Sequence, residues 1–251
     1  MQSTTPRPAA PPRPEIASSW ARSRLSGLRE DGAPRLAHGS VAAESGLVRA
    51  AGPVLERAKA ELDGAPVGLV LANHTAHVVD VQFADRSAGR AIADLGIAPG
   101  VQLGEDQVGT NAIGTPLETK RELLVRGPDH FIAAFRSFTC YGHPIIHPII
   151  HPITRRLEGV LDIGDCSGEE NRLFPPLLRR MVRDIEDRLQ LGSTRAQRRL
   201  LAEFQVAARQ RGRPVIVVGQ SLVLATPHAI DLLEPADHAA VRTCAEVCDI
   251  P

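Results

Sequence analysis

His143, His147 and His151 stand four residues apart in HPIIHPIIHPI, and each is followed by proline. On a helix that spacing would stack three imidazoles on one face as a metal-ligand ladder. Proline forbids the helix: it has no backbone N–H, its ring clashes with the preceding turn, and it drives the residue before it toward extended geometry. In a hairpin connection the alternating histidines could not all converge at the roughly 2 Å that zinc requires. The stretch is therefore predicted to be a lengthened, proline-stiffened β-turn whose isoleucines, if exposed, would cover a pocket or meet a partner.

Other residues could do chemistry nearby. On a regular strand Cys140 shares a face with Phe138 and Gly142 while His143 points the other way, so a metal held by both would need a bulge. A thiol beside a pocket can sense oxidants or electrophiles if its thiolate is stabilised, and a buried, inert cysteine is the plainer alternative. His130 is predicted to open a strand after Pro128-Asp129. In GEDQVGTNAIGT, residues 104 to 115, Glu105, Asp106, Thr110, Asn111 and Thr115 put donors and acceptors on glycine-rich backbone that a ligand can approach closely. Thr110 and Asn111 serve equally well as caps for a helix starting at Ala112, and Glu105 reads as a solvated or capping carboxylate rather than an acid–base group.

The elements that must position these residues follow from periodicity. Residues 1–14 carry five prolines and almost no apolar bulk, as a disordered tail would. EIASSWARSRLSGL can form a short amphipathic helix from Glu15 with Ile16, Trp20 and Leu25 inward. A helix at about 44–63 turns Leu47, Val48, Val54, Leu55, Ala58 and Leu62 to a core and closes at Asp63-Gly64. VGLVLA and AHVVDVQF then form a hairpin around NHT, and a short helix follows at 86–95. RELLVRG, HFIAAFRSFTCYG and LEGVLDIGD are strand-like. Two helices come next, one striped with Leu173, Leu177, Leu178, Met181, Val182, Ile185 and Leu189, the other with Leu200, Leu201, Phe204, Ala207 and Ala208. Two short strands around Gly219-Gln220 and a short helix end the chain, too few residues for a complete second core.

Bulk composition narrows the classes. Lys+Arg and Asp+Glu are 29 each, so the net charge suggests neither a nucleic-acid nor a membrane surface. The longest apolar runs are strand-sized, far below the roughly 18 residues of a membrane span, and no signal-peptide core opens the chain. A cytoplasmic location is expected. The cysteines at 140, 166, 244 and 248 form no CxxC pair and fit reduced thiols. The arginine-rich stretch 179–213 is interleaved with Asp184, Glu186, Asp187 and Glu203, as on solvated amphipathic helices.

Taken together, GEDQVGTNAIGT, PDHF (128–131), TCYGHPI (139–145) and RRLEGVLDI (155–163) resemble the sensory GAF domain of bacterial transcription activators of the acetoin-regulator type, especially their actinobacterial GAF–PAS–Fis relatives. The resemblance covers nearly all of residues 15–240, and HPIIHPIIHPI is one tetrapeptide longer than the family's hairpin. It implies an α+β fold, an antiparallel sheet with flanking helices and a ligand pocket. The expected organisation is a tail (1–14), a helical lead-in (15–40), a GAF domain (41–191) and a linker helix with an incomplete PAS-like segment (192–251). No Walker loop or helix-turn-helix is seen, so neither ATPase activity nor direct nucleic-acid contact carries over. The implied function is non-catalytic sensing of a small organic ligand, signalled through dimer helices of a homodimer, with Glu105, Thr110, Asn111, His130, Phe131, Cys140 and His143 as ligand-binding candidates and no cofactor. One alternative is an enzyme built on the same fold with Glu105, His130 and Cys140 as catalytic groups. Another is a metal, haem or redox sensor using Cys140, His143, His147 and His151.

Overall fold

The computed structural model describes residues 12–41, 45–147, 156–166, 170–209, 213–218, 223–232 and 237. The tail expected at 1–14 therefore lies outside the described residues up to position 11. The first helix, α1, runs Pro14–Leu25 with proline in its first turn, where the missing N–H costs nothing. Ile16, Ser19 and Ser23 are its buried residues. Leu25, expected to face inward, is 88% exposed, because it falls off the i, i+3, i+7 row that Ile16, Ser19 and Ser23 define. Helix α2, Gly46–Glu61, is capped by Ser45, whose Oγ accepts from the Val48 N–H, and buries Leu47, Ala51, Val54, Leu55 and Ala58.

Strands β1 (Val67–Asn73) and β2 (Val78–Phe83) form the expected hairpin, and α3 spans Arg86–Asp94. Two short helices, α4 (Glu105–Val108) and α5 (Gly114–Thr119), stand in the glycine-rich segment. Strands β3 (Leu123–Val125), β4 (Thr139–His147) and β5 (Arg156–Asp165) complete an antiparallel sheet ordered β2-β1-β5-β4-β3. Its faces separate by alternation. Leu69, Leu71, Tyr141, Ile145, Leu161 and Ile163 pack with α2 and with α6 (Phe174–Ala208), which contributes Leu178, Met181, Val182 and Ile185. Val70, Ala72 and Val160 turn the other way, into a cluster with Val101, Leu103, Val108, Ile113, Phe131 and Phe135.

Three expectations are corrected here. HFIAAFRSF is not a strand, and His130 does not open one: 3-10 turns occupy Gly127–Asp129 and Ala133–Phe135, and β4 starts only at Thr139. Pro128 favours the first turn, and the Arg136 guanidinium donates back to the carbonyls of His130 (3.1 Å) and Phe131 (3.0 Å), folding the segment onto itself. The first HPII repeat is strand rather than turn, with Ile145 fully buried and a register shift at Ile145/Ile146. Proline is tolerated at 144 because β3 pairs no further along β4 than Gly142, so the missing donor falls on an edge. The remainder of the repeat, including His151, lies outside the described residues. Finally, α6 is one 35-residue helix where two were predicted. Gly192 costs such a helix only about 1 kcal/mol, and Leu173, placed in its stripe by the sequence, precedes it and is 72% exposed while Phe174 is buried.

The chain divides into two compact units, one up to Leu189 and one from Gln190. Within the second, β6 (Ile216–Val218) and β7 (Val223–Ala225) pair antiparallel ahead of the one-turn α7 (Pro227–Ile230). No helix among the described residues is long and apolar enough to cross a membrane.

Candidate functional site

The face of the sheet away from α2 and α6 carries a hollow made by missing side chains. Gly68 on β1 pairs with Gly164 on β5, and Gly164 pairs with Cys140 on β4, so one row across three strands bears a single side chain. A Cβ on Gly68 would sit 2.3 Å from Ile92 Cδ1, and one on Gly164 would sit 2.8 Å from Cys140 Sγ. The next row is Val70, Asp162 and Gly142. Ile92, Leu95 and Ile97 wall the hollow, Leu103, Val108 and Ile113 roof it, and His130, Phe135 and Phe138 join them around a partly open cavity of about 50 Å³.

The roof is held by side-chain hydrogen bonds within the segment that the sequence singled out. Asn111 Nδ2 donates to the carbonyls of Leu103 (3.0 Å) and Gly109 (2.8 Å), and its Oδ1 accepts from the N–H groups of Ile113 and Gly114, both at 2.8 Å. All four bonds an asparagine can readily make are used. Asn111 thus lines the cavity while capping the start of α5, one residue pair later than Ala112. Glu105, read from sequence as solvated or capping, is instead buried and tied to α1. Its carboxylate takes a two-pronged ion pair from Arg22 (2.6 and 2.9 Å) and a hydrogen bond from Ser19, whose hydroxyl also meets Thr110 Oγ1 at 2.6 Å and Thr115 Oγ1 at 3.2 Å.

Of the seven ligand-binding candidates, Asn111, His130 and Cys140 line the cavity. Glu105 and Thr110 sit in the polar lock between roof and α1. Phe131 is buried with its ring edge-on to Trp20 at 5.4 Å. His143 is on the opposite face of β4, with Nε2 3.6 Å from the Glu122 carboxylate that Arg179 of α6 grips at 2.7 Å through two nitrogens. Cys140 and His143 therefore share no ligand, and among the described residues no three His, Cys, Asp or Glu side chains gather to hold a metal. The backbone of His147 ends β4; His151 is not described.

Sequence reasoning missed Asp162, which is buried and lines the cavity. The signal was present. In LEGVLDIGD the middle of the strand, GVLDIG, is apolar on both faces except at this position, and a carboxylate in a doubly covered strand asks for a reason.

Burial sets the protonation of the three titratable lining groups. It pushes the Asp162 carboxyl up to about 8, opposed only by the Tyr141 backbone N–H. It pushes His130 down to about 4, against the backbone carbonyls of Gly127 and Arg126 and the Asp129 charge. It raises the Cys140 thiol well above the ordinary range, with the carboxylates of Asp162 and Asp165 adding to the effect. At neutral pH the cavity is thus lined by a neutral imidazole, a thiol and a largely neutral carboxyl.

Stability should record this. Between pH 4 and 6.5 the native chain holds the Asp162 proton that the unfolded chain releases, while the unfolded chain holds a His130 proton that the native chain refuses, so the two slopes oppose. Above pH 6.5 only Asp162 remains, and the unfolding free energy is expected to fall by about 1 kcal/mol up to pH 8. Urea denaturation at pH 6, 7 and 8 reads this directly. Asp162→Asn should flatten the profile, and a wild-type profile that is already flat would remove the assignment.

A family model described as "MimR, N-terminal domain" matches residues 7–187. The propane 2-monooxygenase operon transcriptional activators MimR of Mycolicibacterium smegmatis and Mycolicibacterium goodii are 30% and 29% identical over 226 and 228 residues, 90% and 91% of this chain. The chain spans 38% of the length of each. A 47.3 kDa protein from the thcA 5′ region of Rhodococcus erythropolis is 30% identical over 158 residues, covering 59% of this chain and 34% of its own length. The crystal structure of the Escherichia coli DhaR(N)–DhaL complex aligns with a TM-score of 0.67 over 88% of this chain and 76% of that one at 19% identity. The shared architecture is that of a GAF-type domain, the α+β fold expected from the sequence.

Proposed function

This chain belongs to the MimR N-terminal domain family, and from that premise we propose that it is the small-molecule-sensing GAF module of a transcriptional regulator, non-catalytic and cytoplasmic. The observation that carries the reading is the cavity itself. It is mostly apolar, a few inward polar groups stand in it, and its roof is the segment Leu103–Ile113 that Glu105 ties to α1. A ligand that favours one arrangement of roof and α1 over another would shift the balance between them, and only such a difference in affinity can transmit a signal. The relatives named as activators of a propane 2-monooxygenase operon support transcription as the output.

We take α6 to be the dimer helix. Leu191, Leu201 and Val206 are exposed apolar side chains along its C-terminal half, and burying them against a second copy would remove that surface from water. The enzyme reading has less behind it. Glu105 is occupied by Arg22 and Ser19, and Cys140 is held as a thiol, so neither stands ready as base or nucleophile.

Thermal unfolding of the chain in millimolar small organic molecules tests the proposal, since any compound that binds only the native state raises the midpoint. Sedimentation of the same samples should give a dimer, and Leu201→Arg a monomer. If no small organic molecule shifts the midpoint and none is released from the denatured chain, the sensing role is lost; chemical turnover of a bound compound would transfer it to the enzyme reading.

A further inference from the structure

The cavity measures about 50 Å³, whereas a six-carbon ring takes one of about 150 Å³. A ligand of more than a few atoms therefore has to move a wall. The walls differ in what holds them.

The floor is sheet, with strands bonded along their length. The roof is fixed by the four hydrogen bonds of Asn111. On the side of His130 and Phe135, Trp20 Nε1 donates to the Asp129 carbonyl at 2.8 Å, and the Arg136 guanidinium bonds the His130 and Phe131 carbonyls and pairs with Glu30 at 3.0 Å. The remaining side is α3 with the turn after it, which supplies Ile92, Leu95 and Ile97. From Arg86 to Ile97, no hydrogen bond or ion pair reaches another element among the described residues. The Ser87 hydroxyl and the Ala88 and Gly89 N–H groups bond to the Asp85 cap, and the remaining bonds stay within the segment.

Apolar seating alone holds this wall down. The buried residues of α3 are Ala88 and Ile92. Ile92 Cδ1 occupies the space that a Cβ on Gly68 of β1 would need, and the Phe83 ring lies 3.3 Å from where a Cβ on Gly89 would stand. A glycine inside a strand often marks a close approach of this kind. Such burial has no direction, so the helix breaks no hydrogen bond when it lifts, and a ligand carbon over Gly68 replaces the apolar cover that Ile92 gives up. The ends of the segment suit a pivot, with Asp85 capping one and Gly96 and Gly100 at φ +74° and +93° beyond the other. Few buried side chains and no bond to a neighbour place a segment at the low end of local stability, from which binding-site lids are drawn.

We propose that α3 is the gate of the cavity, with Ile92 as the plug over Gly68 that withdraws to admit the ligand while the roof stays in place. This deepens the sensor reading and rests on it. Entry and response then fall to different elements: α3 admits the ligand, and the roof with α1 answers to it.

Cys140 lines the cavity and reports on the gate. N-ethylmaleimide, whose ring and ethyl group do not fit in about 50 Å³, reaches that thiol only when a wall moves. With Cys166, Cys244 and Cys248 changed to serine, labelling of Cys140 at pH 8 is followed by mass spectrometry in rising urea, beside amide hydrogen exchange of residues 86–97. Without urea, Ile92→Ala should label at least about tenfold faster than the parent and Ile92→Val about threefold faster, with α3 amide exchange accelerating in the same proportion. Glu105→Ala frees α1 but keeps the bonds of Asn111, and should change the rate by less than about twofold. Labelling that rises with urea as steeply as global unfolding in every variant would overturn the gate, because the cavity would then open only as the chain unfolds. Faster labelling of Ile92→Ala without faster α3 exchange would also overturn it, as the mark of a void rather than a moving helix. A larger effect in Glu105→Ala would overturn it by placing the entrance at the roof. All three outcomes leave the sensor reading standing, since the small-molecule shift of the unfolding midpoint decides that.

Discussion

Gly142→Ala is expected to destabilise the chain by at least about 4 kcal/mol, in the range reserved for a steric conflict that cannot relax. Gly142 lies in mid-sheet on β4, paired with Leu123 on one side and Asp162 on the other. A Cβ there would fall 1.7 Å from the Ala112 carbonyl oxygen, 2.7 Å from its carbon and 3.0 Å from Pro116 Cγ. The obstacle is backbone, held in place by the four hydrogen bonds of Asn111, and no flexible side-chain end can swing aside. Either the sheet breaks or the roof of the cavity lifts. Gly192→Ala is the matching control. It lies in α6 with nothing within 4 Å of its added Cβ, and should stabilise by about 0.5–1 kcal/mol. Urea denaturation of the pair reads both effects. A Gly142→Ala chain within about 1 kcal/mol of wild type would mean that the roof does not sit on β4 as described.

That close approach also shows where sequence reasoning reached and where it stopped. The β1–β2 hairpin, β5 and α2 were legible because their apolar residues recur at the period of the element, and local pattern suffices when an element is covered by a large apolar partner. Asn111 was legible as a cap because capping is a local bond. The inward face of α1 was not, since Ser19 looks like a solvent position until Glu105 and Thr110, about ninety residues on, are brought against it. His143 and Cys140 stand three apart in the chain, and alternation alone correctly set them on opposite faces. It could not say which face held the cavity, which depends on Gly68 and Gly164 meeting across strands nearly a hundred residues apart. Local propensity favoured a strand at HFIAAF and lost to the hold of Arg136 on the His130 and Phe131 carbonyls.

The lock between α1 and the roof yields the second large effect. Glu105→Ala is expected to cost about 2–3 kcal/mol, the upper range for removing a buried, charge-assisted partner. The full cost of stranding a buried charge does not apply, because the Arg22 side chain is 40% exposed and can turn to water. Ser19, fully buried, cannot, but it keeps Thr110 and Thr115 as partners. Glu105→Gln retains the packing and one hydrogen bond and should cost about 1 kcal/mol. Ser19→Ala combined with Glu105→Ala should show a coupling of at least about 0.5 kcal/mol, as residues in direct contact do. Trypsin adds a readout specific to α1. Arg22 and Arg24 lie in its last turn, and cleavage there should speed up in Glu105→Ala well before global unfolding, because the helix loses the bonds that hold it to the roof. Cleavage that rises only in step with global unfolding would make the lock a plain contributor to stability. Early cleavage would make α1 the element that can leave while the sheet stays folded, as a sensor needs of the part its ligand is to move.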